Sequence, residues 1–83
     1  MKDMITKQIK LVTPQDVKDF CFAASGLPRN VNAVVSHNEF RVDGRSILGM
    51  FGLNLSEPVT LIITSENDLD KGKIDEIFAL WEV

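Results

Sequence analysis

Arg41 to Thr64 reads RVDGRSILGMFGLNLSEPVTLIIT, and the order of its signals decides the fold: strand end, turn, short helix, turn, buried strand. Asp43-Gly44 breaks the strand that ends at Val42. Ser46 is a good helix-capping residue. It is followed by Ile47-Leu48-Gly49-Met50-Phe51-Gly52-Leu53, which carries more apolar side chains than so short a helix can bury on one face. Helical spacing points Met50 and Leu53 inward and leaves Ile47, Leu48 and Phe51 partly outward. Val59 to Ile63 is apolar and β-branched enough for a central strand, with Pro58 suited to its first residue.

Upstream, Ile9-Lys10-Leu11-Val12 predicts a first strand that reaches back to about Ile5 by alternation. Thr13-Pro14-Gln15-Asp16 then starts a helix, with Thr as N-cap, Pro at the first helical position and an acid at the third. Val17, Phe20, Cys21 and Ala24 share one face and predict a core stripe, with Phe22 off it. Gly26 as a left-handed cap and Pro28 beyond it limit this helix to about ten residues. Val31, Ala33 and Val35 alternate with Asn32, Val34 and Ser36 as in a half-buried strand. Ser36-His37-Asn38-Glu39 predicts a hairpin turn returning as Phe40-Arg41-Val42. Ser65 to Asp70 is a polar linker to a last helix whose apolar positions are Ile74, Ile77, Phe78 and Trp81. Asp68 and Asp70 favour its start. The order β-α-β-β-α-β-α predicts an α+β two-layer sandwich, with helices on one face of an antiparallel sheet.

The 83 residues suffice for one domain with a single core, and 45% hydrophobic with 25% charged residues is a globular composition. The formal net charge is −3, and the nine Lys and Arg are scattered, which argues against nucleic acid as partner. One cysteine, Cys21, forms no internal disulfide and no thiolate metal site. No signal peptide or membrane-spanning run is legible, so the expected location is cytoplasmic, without membrane attachment. No cofactor is expected, and Asp68, Asp70, Asp75 and Glu76 lack the spacing of a Ca²⁺ loop. Asp75 and Glu76 are expected on the solvated face of the last helix.

Val42-Asp43-Gly44-Arg45-Ser46-Ile47-Leu48-Gly49-Met50-Phe51-Gly52-Leu53, followed by Val59-Thr60-Leu61-Ile62-Ile63, resembles HPr, the small phosphocarrier of the bacterial sugar phosphotransferase system. The match is strongest over residues 31–64. The resemblance implies an open-faced β-sandwich, with a four-stranded antiparallel sheet and helices on one side. It also implies a phosphate-accepting histidine in a Gly-x-His-x-Arg-Pro motif between the first strand and first helix. There helix-end amides and the arginine hold the phosphoryl group.

That junction here is Val12-Thr13-Pro14-Gln15-Asp16-Val17-Lys18, several residues shorter, with no His, no Gly-rich loop and no Arg. Gln15 falls where the family histidine would be. A carboxamide is no phosphate-accepting nucleophile, and Asp16 at the same helix end repels a phosphoryl group. A regulatory branch of the family likewise has glutamine there and keeps the serine, although the Ala-Arg-Pro around it is missing from this chain. The resemblance therefore implies a non-catalytic regulatory or protein-binding module, not an enzyme.

By the same resemblance, Ser46 matches the serine that a dedicated kinase phosphorylates in HPr of many Gram-positive bacteria, and phosphate at a helix N-terminus is stabilised by free amides. An unmodified N-cap explains the residue equally simply. Ile47, Leu48 and Phe51 match an apolar patch that partner proteins grip in the family, and the alternative is a core that wraps further round the helix. His37, the only histidine, is either a solvated turn residue or a different phosphate acceptor. Cys21 reads as a small buried hydrophobe. An oligomerising structural domain unrelated to sugar transport is the remaining alternative.

Overall fold

A computed structural model of the chain describes residues 3–83. The elements are β1 (Asp3–Ile9), α1 (Pro14–Ser25), β2 (Val31–His37), β3 (Phe40–Asp43), α2 (Ile47–Phe51), β4 (Val59–Ser65) and α3 (Lys71–Phe78). The strands form one sheet in the order β1-β4-β2-β3, with every pairing antiparallel. The expected element order, α+β class and open-faced sheet are all present. β4 is central because it lies between the seven-residue strands β1 and β2, and its pattern buries Val59, Leu61, Ile63 and Ser65 on one face.

The helices cover that face. The stripe Val17, Phe20, Cys21 and Ala24 of α1 is buried as its spacing predicts, and Phe22 is exposed. Phe20 lies 5.5 Å from Phe78 of α3 and 5.6 Å from Trp81, centroid to centroid. Rings at these separations add to area burial that is itself worth about 1.5–3 kcal/mol for a fully buried Phe. The uncovered face presents Thr6, Gln8, Thr60 and Thr64 to solvent, and Gln8 Nε2 donates to Thr60 Oγ1 across the strand pair at 2.8 Å.

Several boundaries differ from the sequence expectation. β1 ends at Ile9, so Leu11 and Val12 lie outside it: Lys10 N–H donates to Trp81 C=O, and the chain turns there into α1. The helix α1 has 12 residues, and Gly26 closes it with φ −79°, a right-handed conformation in place of the expected left-handed cap. The Gly26 N–H still donates to Phe22 and Ala23 carbonyls, so the cap needs no positive φ. His37 belongs to β2, and the hairpin turn is Asn38-Glu39, with Asn38 at φ 55°. Asn tolerates that left-handed conformation better than most residues. Pro58 precedes β4 by one residue. The helix α3 stops at Phe78, so Trp81 is buried from the segment beyond it, where Glu82 bridges Ile9 and Val83 N–H donates to Gln8 C=O.

Asp75 is not simply a solvated acid. Alternation along β1 puts Lys7 on the covered face between Ile5 and Ile9, with its side chain 8% exposed. Its ammonium pairs with Asp75, and with Glu82 Oε1 at 3.2 Å. The hydrogen bond that Lys7 donates to Asp75 raises the Lys7 pKa, against the opposing effect of burial. One cation thus ties α3 and the C-terminal segment to the edge strand.

Candidate functional site

The helix α2 is held by its two ends and one close approach. Ser46 is its N-cap, and its Oγ accepts from Gly49 N–H at 3.2 Å. Asp43 C=O accepts from Ser46 N–H at 3.0 Å, and Asp43 Oδ1 accepts from Arg45 N–H at 2.9 Å, closing the turn out of β3. Arg45 Nη2 donates to Val31 C=O at 2.7 Å. A Cβ on Gly49 would lie 3.3 Å from Val42 Cβ and 3.2 Å from Ser46 Oγ, so glycine is what lets α2 rest this closely on β3.

In that pose Met50 is fully buried and Leu53 nearly so, while Ile47, Leu48 and Phe51 are 37%, 83% and 47% exposed. The inward and outward assignment read from helical spacing is the one observed. Across from α2 lies the β1–α1 junction, where Val12 is also exposed. Val12, Pro14, Val17, Phe51 and Leu55 line a shallow depression of about 370 Å³ between the two. Lys10 beside it is tied down, donating from Nζ to Leu55 C=O at 2.9 Å. Val12 was not singled out in the sequence, because its apolar run reads as strand; its exposure follows only from where β1 ends.

The helix start at this junction is self-satisfied. Thr13 and Asp16 form a reciprocal capping box: Asp16 N–H donates to Thr13 Oγ1 at 3.1 Å, and Asp16 Oδ2 accepts from Thr13 N–H at 3.1 Å. The same carboxylate oxygen accepts from Val12 N–H at 2.9 Å. These donors, Val12 first, hold the Asp16 carboxyl below the usual carboxylate range. The Val12 and Thr13 amides therefore already serve an internal anion. Gln15 is exposed in the first turn of α1, and its Nε2 donates to Asp19 Oδ1 at 2.9 Å.

His37 lies at the same end of the sheet, although distant in sequence. The β2–β4 register sets Ser36 opposite Thr60, and the β1–β4 register sets Ile9 opposite Val59. His37 is therefore two strands, on the order of 10 Å, from the end of β1. Its ring is largely buried, with Nε2 3.8 Å from Glu57 Oε1. A carboxylate there disfavours a phosphoryl dianion on the same nitrogen. Cys21 is buried, and its thiol pKa is raised by burial and secondarily by the Asp43 charge, which keeps it an unreactive thiol at neutral pH. Asp70 caps α3, accepting from Lys73 N–H at 3.1 Å. Among the described residues no group of three or more His, Cys, Asp or Glu is placed to hold a metal ion.

No family model matches the sequence, and no curated protein matches it. Among solved structures, the fold is similar to the crystal structure of HPr-C-His from Thermoanaerobacter tengcongensis, with a TM-score of 0.66 and 22% sequence identity over 95% of this chain and 90% of that one. The four-stranded open sheet with three helices is an HPr-like fold.

Proposed function

We propose that this chain is a phosphotransferase-system-related regulatory module that binds a protein partner through Ile47, Leu48 and Phe51, without carrying phosphate on a histidine at the β1–α1 junction. The observation that supports this most is the pose of α2. It spends Met50 and Leu53 on the core and holds three large apolar side chains outward, beside a depression bordered by exposed Val12. Contiguous exposed apolar surface of this kind characterises protein contact sites. Gln15 in place of a nucleophile, and junction amides engaged by Asp16, speak against phosphotransfer there. In this reading the protein acts in the bacterial cytoplasm, in the control of sugar transport.

Ser46 is the regulatory residue of the proposal. It is exposed, and a phosphate on its Oγ would stay next to the first amides of α2. The test is incubation with HPr kinase and ATP, followed by intact-mass measurement of the wild type and Ser46→Ala. A gain of one phosphate in the first and none in the second is the expected result; an unmodified wild type removes the regulatory reading.

His37 near the same sheet end keeps one second reading in play, a phosphocarrier with a different acceptor. Incubation with phosphoenolpyruvate and enzyme I decides it. A mass gain lost in His37→Gln would establish that reading and overturn the non-catalytic one.

A further inference from the structure

Among the described residues the strand β3 is the outer strand of the sheet, with β2 on one side and no strand on the other. Its hydrogen-bonding parity is fixed by the ladder: Gly44 N–H donates to Ala33 C=O at 2.8 Å, and the register pairs Val35 with Val42 and His37 with Phe40. Antiparallel ladders alternate, so Phe40, Val42 and Gly44 turn their backbone groups toward β2, while Arg41 and Asp43 turn theirs outward. The side chains of Arg41 and Asp43 both lie on the uncovered face, and among the described residues neither has a salt-bridge partner. On the covered face, Phe40 is 70% exposed and Val42 is half-buried.

An edge with free amides and carbonyls is a template for another strand, and proteins usually blunt it with charge. Here the charges are opposite and two residues apart, which makes the edge self-complementary. We propose that β3 pairs with β3 of a second copy of this chain, antiparallel about a two-fold axis at Val42, so that Arg41 of each copy faces Asp43 of the other. Centring the axis on Arg41 would oppose two arginines, and centring it on Asp43 would oppose two aspartates; of these three registers within the strand, the one at Val42 pairs unlike charges at both sites. That register also satisfies the parity, because Arg41 and Asp43 are the outward-facing residues and form the hydrogen-bonded pairs. Asp43 N–H donates to Arg41 C=O of the other copy. Arg41 N–H donates to Asp43 C=O of the other copy, shared with its own Ser46 N–H. The two Val42 side chains meet at the closely spaced non-hydrogen-bonded position. Phe40 falls opposite Gly44 of the second copy, the position in this segment with no side chain of its own.

The association joins two four-stranded sheets into one of eight through a short edge, so it is weak and concentration-dependent, and it loosens with added salt. The experiment is sedimentation velocity of the intact chain over a concentration series into the millimolar range, with circular dichroism confirming that each variant is folded. The wild type is expected to dimerise. Arg41→Asp and Asp43→Arg each replace both unlike pairs by like ones, and each is expected to weaken dimerisation at least about tenfold. An equimolar mixture of these two single variants regenerates unlike pairs at both sites and is expected to restore the dimer. Arg41→Pro removes an outward N–H that the monomer's ladder does not use, so it is expected to give a folded monomer. A wild type that stays monomeric throughout the series overturns the proposal. So does a dimer that survives Arg41→Pro and both reversals, or one abolished by Leu48→Asp and untouched by Arg41→Asp, which would put the contact on α2.

Discussion

Replacing Gly49 by alanine sets two effects of similar size against each other, and the geometry decides between them. Alanine favours a helix over glycine by up to about 1 kcal/mol. Against this, the new Cβ would sit 3.3 Å from Val42 Cβ and 3.2 Å from Ser46 Oγ. Val42 Cβ is fixed to the strand backbone and cannot swing away. Relief therefore requires α2 to lift from β3, which opens space under the fully buried Met50. Overpacking of this kind costs about 1–3 kcal/mol. Displacing Ser46 Oγ from the Gly49 N–H forfeits a cap worth about 1 kcal/mol. The sum is a destabilisation of about 1–3 kcal/mol, or a fall in Tm of about 5–20 °C for a domain of this size. Gly72→Ala is the control. That glycine is also helical, in α3, but its nearest neighbour would be Asp70 Oδ1 at 3.6 Å, an ordinary contact. The same substitution there should stabilise by about 0.5 kcal/mol. Urea and thermal unfolding of the two variants beside the wild type measure both terms. A Gly49→Ala protein as stable as Gly72→Ala would refute the close-approach account of α2.

The Lys7 cluster predicts an order of stabilities. Lys7→Met leaves two carboxylates, Asp75 and Glu82, that are about half exposed and can hydrate, costing at most about 1 kcal/mol. Asp75→Ala with Glu82→Ala instead strands the covered ammonium, costing about 1–3 kcal/mol; chemical denaturation giving the reverse order would discard this reading. Asp16 has a lowered folded pKa, so its contribution is present above the unfolded value and is lost as pH falls through the folded one. Acid titration monitored by circular dichroism should therefore show stability falling more steeply in the wild type than in Asp16→Asn below about pH 4. Leu48→Asp touches an 83% exposed side chain and should change stability by less than about 0.5 kcal/mol. If α2 is the contact surface, the same variant lowers kcat/KM for phosphorylation by HPr kinase at least about tenfold, and an unchanged value would place recognition elsewhere.

The elements were legible because each carries its own period. Val17, Phe20, Cys21 and Ala24 mark α1, alternation marks β2, and the β-branched run marks β4; all three were found where the pattern put them. What failed was local inference across a tertiary boundary. Leu11 and Val12 look like strand, yet Lys10 N–H bonds to Trp81 C=O, some seventy positions along, and ends β1 before them. Trp81 fits the helical stripe of α3 but is buried from the next segment, because a bridge to Ile9 draws the chain off the helix axis. The burial of Lys7 did have a signal, its place between Ile5 and Ile9 on an alternating strand, while its acidic partners needed the folded chain to appear. At the candidate site the inward and outward halves of α2 were readable from spacing, but the contribution of Val12 was not. The occupation of the junction amides by Asp16 follows a capping-box pattern whose third member is Asp in place of the usual Glu, which makes it harder to read.

The turn Asp43-Gly44-Arg45-Ser46 links the two surfaces on which the proposals rest. Asp43 faces outward from the β3 edge by its backbone N–H, while its carbonyl and carboxylate hold the Ser46 and Arg45 amides that start α2. Arg45 anchors the same turn to β2 through Val31 C=O, and buried Gly44 sits against Ala33 and Phe20, where a Cβ would be 3.3 Å from Ala33 C=O. A residue added or removed in this turn would shift α2 along β3 and move Gly49 off Val42, so the outward triad and the strand edge are held at fixed spacing. Two β3 strands paired about Val42 would consequently carry two α2 helices on the same side of the joined sheet, one on each flank of the axis. A partner that grips Leu48 in one copy then meets a second such grip at a distance set by the fold. Its apparent affinity would rise with the concentration of this chain, and Arg41→Asp would abolish the rise without touching a residue of α2.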